Sequence, residues 1–158
     1  MELSKQFSEQ QYARALESWT WLDLDGKVPR FTSLFGDVFL ESADGAWWFL
    51  DTFEGHLVRG WNSGADLTAE LDTEAGQDRY LLASLAMAAY HRRELRLDAG
   101  QIYAYAPPPI VTGSFDVDQI EVFDFFAVVN IAGQLHEQLR NKPSSWSRPL
   151  GMVGRPGP

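Results

Sequence analysis

The sequence predicts an α+β fold: a mainly antiparallel sheet, made of a three-stranded meander and two later strands, with helices packed on it in a single domain. Three observations predict it. Across residues 36–61, apolar runs rich in aromatic and branched side chains are separated by Asp-Gly and Glu-Gly turn signals, the pattern of hairpins. On either side of that block, apolar residues recur three and four apart, as on one face of a helix. A chain of 158 residues that is 45% hydrophobic can bury one good core and is too short for two comfortable ones.

The elements follow in order. Ser8 with Gln11 forms a capping-box signature, and Tyr12, Leu16 and Trp19 then share one face, so a helix runs from about Glu9 to Trp21. "LDLDGKVPRF" breaks it with Gly26 and Pro29 and reads as a solvated loop. Asp23 and Asp25 resemble the opening of a calcium loop, but Lys27, Val28 and Leu34 stand where a ligand, a glycine and a glutamate are needed, which excludes calcium there. The three strands of the meander turn at residues 42–45 and 52–55. Consecutive apolar residues in them (Val38, Phe39 and Leu40, then Trp47 to Leu50) predict that both faces of the sheet are covered.

From Ser63 the period becomes helical. Leu67 and Leu71 align, while Asp66, Glu70, Glu74 and then Asp78 continue a separate acidic stripe at the same spacing of four. A longer helix follows, with Leu82, Leu85, Ala86 and Ala89 as its buried stripe and Arg92 and Arg93 near its C-terminal end, where cations suit the helix dipole. Gln101–Tyr105 reads as a short strand. The proline run after it has no donors for a ladder and is expected to leave the sheet as an extended polyproline segment. "QIEVFDF" is the last strand, and a helix from about Phe125 to Asn141 carries Val128, Ile131, Ala132, Leu135 and Leu139 on one side. The domain therefore spans residues 1–142, and the Pro, Gly and Ser-rich residues 143–158 read as a tail.

Gly133, inside that last helix, costs about 1 kcal/mol relative to alanine, and close approach of a neighbouring segment is the expected compensation. His136, at the edge of the apolar stripe, reads as a core-edge residue rather than a general base.

Composition narrows the function. With no cysteine there is no disulfide framework, no thiolate nucleophile and no Cys-ligated zinc. The start lacks a basic region followed by an apolar run, and "LLASLAMAAY" at 81–90 is half a membrane span, so the expected location is the cytoplasm and no membrane partner is expected. The net charge is −9, and residues 31–80 alone hold ten acids against two bases. So acidic a chain is a poor nucleic-acid binder and suits a basic partner instead. No nucleophile elbow and no phosphate loop is present. His56, His91 and His136 lie 35 and 45 residues apart, without metal-ligand spacing. The expectation is a protein with no catalytic residues, no metal and no cofactor.

An ordered set of residues carries a family resemblance. Phe35, Gly36, Asp37, Phe39 and Leu40 open it, Asp44 and Gly45 form a hairpin, and Leu50, Asp51 and Gly55 follow. Gly100, Pro108, Pro109, Ile110 and Gly113 come next, and Gly133, Gln134, Leu135, His136 and Gln138 close it, so that the pattern spans roughly residues 16–141. In this the chain resembles the C-terminal domain of type VI secretion immunity proteins that neutralise DNase effectors, long classed as a domain of unknown function. The resemblance implies an immunity protein that binds a cognate secreted toxin, a basic nuclease domain, with the motif residues mainly structural. On the charge pattern, the expected toxin contacts are Asp66, Glu70, Glu74 and Asp78. The alternative is a small-molecule-binding or regulatory module in which Trp47, Trp48, Tyr103 and Tyr105 line a pocket.

Overall fold

The aromatic runs and turn glycines of residues 36–61 do form the centre of the molecule. In a computed structural model, which describes residues 1–140, they are β3 (Val38–Ser42), β4 (Trp47–Asp51) and β5 (His56–Trp61), paired antiparallel in chain order. The expected tail at 143–158 lies outside the described residues.

The sheet is larger at one end than the sequence suggests. The segment read as a loop contains β2 (Lys27–Ser33), which pairs with β3, and β1 (Ser4–Lys5) pairs in turn with β2. Pro29 is accommodated in two ways. The register shifts between Pro29 and Phe31, and β1 pairs only with Thr32 and Ser33, so that Pro29 lies where β2 has an open edge and a missing donor is tolerated.

The two later strands, β6 (Gln101–Tyr105) and β7 (Ile120–Asp124), do not join this sheet. They form an antiparallel pair of their own, tied to the larger sheet where Tyr103 N–H donates to the Leu34 carbonyl at 2.8 Å. The α+β class stands, with two sheets in place of one.

Helices cover the large sheet on both faces, as its consecutive apolar residues require. Val38, Leu40 and Leu50 pack towards α1 (Glu9–Leu16) and α6 (Phe125–Leu139), with Tyr12, Trp19, Phe125 and Val129. Phe39, Phe49 and Trp61 point the other way, onto Leu67 of α2 (Gly64–Leu71) and Leu81 of α3 (Glu74–Leu81). The third core joins the small sheet to α4 (Ala83–His91): Leu82, Ala86 and Ala89 meet Tyr103, Tyr105 and Ile120. The helical region after Ser63 is thus three short helices. Thr73 starts α3 as its N-cap, accepting from Gly76 N–H at 2.9 Å, and Leu82 turns left-handed (φ 51°) between α3 and α4.

The proline run is also shorter in extent than expected. Pro108 is extended, but Pro109 begins a helical turn, α5 (Pro109–Thr112), as a proline at the first helical position can. Gly113 closes that turn in the left-handed region. Among the described residues no helix is long and apolar enough to cross a membrane.

Candidate functional site

The residues of the family-like pattern converge on the joints of the fold. Asp37 is fully buried just before β3. Its Oδ1 accepts from the Thr52 N–H (2.9 Å) and hydroxyl (2.8 Å), and its Oδ2 from the Ser33 hydroxyl (3.2 Å), so one carboxylate ties the β2–β3 turn to the end of β4. Asp51, 5% exposed, accepts from Phe53 N–H (2.9 Å) and Glu54 N–H (3.1 Å) and shapes the turn into β5. Phe35 packs beside Phe53, Tyr103 and Tyr105. Gly36 and Gly45 take turn positions, and Gln134 is an exposed donor to Asn130 Oδ1 at 2.7 Å.

Gly133 and His136 belong to one seam. Trp19 inserts against α6 and donates its indole N–H to the Val129 carbonyl at 2.8 Å; Ser18 donates to the Asn130 carbonyl at 2.6 Å, and Asn130 Nδ2 donates to the Arg14 carbonyl at 2.8 Å. A Cβ on Gly133 would run into Ser18 Oγ and the Trp19 ring, so the close approach expected at this glycine comes from the turn that follows α1. One turn further on, His136 is buried, 5.7 Å from the Trp19 ring, with Nε2 2.9 Å from the Thr52 carbonyl. That nitrogen carries the hydrogen, since a carbonyl can only accept. Burial holds the imidazole below its ordinary range, against opposing pulls from the Thr52 hydrogen bond and the Asp51 carboxylate. The ring fits only because Gly55 has no side chain: a Cβ there would lie 2.6 Å from His136 Nδ1.

The residues of α6 buried deepest are therefore not the stripe of large apolar residues, of which Val128 and Ala132 pack against the core only in part. Phe125, Val129, Gly133 and His136 are buried, whereas Ile131 is 53% exposed. The tight approach of Trp19 selects the face with the glycine and leaves the bulky residues at its edge. There Val128, Ile131 and Leu135 border a pocket of about 240 Å³, lined opposite by Pro107, Ile110 and Phe123.

The acidic stripe is divided by the fold. Asp66 of α2 and Glu74 of α3 are exposed and Glu70 is half-buried; none of the three forms an ion pair with another described residue. Asp78 is different. It is 9% exposed, and its Oδ1 accepts from both the N–H (3.0 Å) and the hydroxyl (2.8 Å) of Ser84 at the start of α4. Expected among the toxin contacts, Asp78 is thus buried apart from the other three, and its carboxylate holds α4 against α3.

The four aromatic residues proposed for a pocket are not brought together. Trp47 and Trp48, adjacent in β4, point to opposite faces and join different cores, and Tyr103 is buried with its hydroxyl donating to the Leu95 carbonyl at 2.7 Å. Tyr105 alone of the four reaches the pocket beside α6. His56 and Asp51 lie close enough to His136 to act on it electrostatically, while His91 stacks edge-on against Tyr90 at the end of α4. Among the described residues no group of three His, Asp or Glu side chains is placed to hold a metal.

Comparison with known proteins adds the fold. No family model and no curated protein matches this sequence. Among solved structures, the crystal structure of Atu4351 from Agrobacterium tumefaciens is similar with a TM-score of 0.57 at 16% sequence identity, over 97% of this chain and 78% of that one. At that identity the likeness concerns architecture.

Proposed function

We propose that this protein is an immunity protein, which binds a basic toxin directly and neutralises it, the toxin being a type VI secretion nuclease effector. The observation that carries the reading is the acidic surface of α2 and the start of α3, where Asp66 and Glu74 are exposed, Glu70 is half-buried, and none of the three forms an ion pair with another described residue. It supports a cationic partner because bringing opposite charges together steers association and costs little desolvation at an exposed rim. A nuclease active site, which must attract phosphates, presents the complementary sign. The protein then acts by covering that site or by presenting carboxylates where the phosphates would lie. The resemblance of residues 16–141 to immunity domains agrees with this, as does the placement of its motif residues at joints of the fold, which leaves the outer helices free for recognition.

The test is growth of a bacterium that expresses the effector encoded beside this protein, with and without it. The expected outcome is rescue, followed by copurification of the pair. Failure of both would sink the immunity reading.

A further inference from the structure

We infer that the outer edge of β5 is where the toxin docks, by adding an extended basic strand of its own to the five-stranded sheet. This docking mode rests on the immunity reading of the protein and specifies how the toxin is held. β5 (His56–Trp61) ends the strand order, and among the described residues β4 is its only hydrogen-bonded backbone neighbour. Successive residues of a strand point to opposite faces, yet Val58, Arg59 and Gly60 are exposed in a row, Val58 at 47%. Exposure that ignores the alternation, and includes a residue with no side chain, belongs to the open edge itself. About half of the residues in such an edge strand turn their N–H and C=O groups to that side, a ready template for another strand.

The opposite edge of the same sheet is guarded. There β1 is only Ser4–Lys5, and Lys5 Nζ donates to the Asp98 and Gln101 carbonyls at 2.6 and 2.7 Å. The stretch of β2 that β1 leaves open holds Pro29, which has no N–H to offer. β5 contains neither proline nor lysine, and its arginine, Arg59, is paired with Asp44 at 3.0 Å. Charge selects the occupant. α2 begins at Gly64, just past the end of β5, and packs Leu67 with Trp61, which puts the start of the helix, with Asp66, beside the end of the strand. Copies of a chain with net charge −9 repel one another, whereas a basic strand gains from the neighbouring acids. Main-chain hydrogen bonds along the edge then supply affinity, and side chains beside it fix which strand enters.

The test is amide hydrogen exchange of the full chain, free and mixed with the purified toxin, read residue by residue by NMR. In the free chain the β5 amides should divide into slow ones bonded to β4 and fast ones turned outward. In the complex the fast ones should slow by about tenfold or more, with backbone nuclear Overhauser contacts from β5 to the toxin, while the open stretch of β2 around Val28 keeps its rates. A complex in which the outward amides of β5 stay fast, or slow without backbone contacts to the toxin, overturns this docking mode and leaves the immunity reading standing. Failure of the pair to form a complex overturns both. Slowing that appears in the free chain as its concentration rises also overturns it, since the occupant would then be a second copy.

Discussion

Asp37 and Asp66 come from the same acidic stretch of chain, yet one is fully buried and the other exposed. The contrast extends to their neighbours. Asp37, Asp51 and Asp78 are each met by two or three donors from the backbone and hydroxyls, as buried carboxylates must be, and they join β2 to β4, shape the turn into β5 and cap α4. Asp66, Glu70 and Glu74 make no ion pair with another described residue and project from α2 and α3. Formal charge thus overstates what a partner meets. A charge committed to internal donors fixes architecture; only the other population can recognise anything.

The comparison can be broken from the buried side first. Asp37→Ala leaves the Thr52 N–H and hydroxyl without their acceptor and should destabilise by about 3 kcal/mol in urea unfolding. A value under about 1 kcal/mol would mean that the carboxylate is not holding the two turns together. Asp78→Ala removes a cap on α4 and should cost about 1 kcal/mol, with Asp78→Asn recovering part of it. If Asp78→Ala instead left stability intact and weakened toxin binding, Asp78 would belong with the exposed set.

His136 gives a pH-dependent form of the same contrast. Its folded-state pKa lies below the ordinary 6.5, so the native state binds fewer protons than the unfolded one in that range. Its contribution to stability is fully present above pH 6.5 and is lost as pH falls from there through the lower folded-state pKa. Unfolding measured between pH 7.5 and 5 should show this slope, and His136→Gln, which keeps a donor for Thr52 but does not titrate there, should flatten it; an equal slope in both proteins would refute the assignment. Smallest of all is the triple substitution Asp66→Ala, Glu70→Ala, Glu74→Ala, which should change stability by less than about 0.5 kcal/mol. A larger loss would show that these acids also support the fold.

The fold class, the meander, the first helix start and the coverage of both sheet faces were legible because each rests on a local pattern: a capping box, turn dipeptides, consecutive apolar residues. What escaped depends on tertiary context. β2 carries a proline that reads as a breaker until β1 is seen to pair only beyond it. Asp78 continues the spacing of Asp66, Glu70 and Glu74 only if the helix is continuous, and the cap at Thr73 and the left-handed Leu82 interrupt it. On α6 a count of large apolar residues misses the residues buried deepest, because periodicity cannot register that Trp19 needs a glycine to pack against. The pocket beside α6 had no sequence signal either, since its walls come from segments far apart in the chain.

The most direct test of the central claim, that the exposed acids and not the buried ones meet the toxin, is the affinity of the purified toxin for this chain and for Asp66→Lys, Glu70→Lys, Glu74→Lys, over a range of salt. The triple variant should unfold at the same urea concentration as the parent, bind about tenfold or more weakly at low salt, and show a flatter salt dependence. Equal affinity and an equal salt slope in a folded variant would contradict the account and move the interface to another surface.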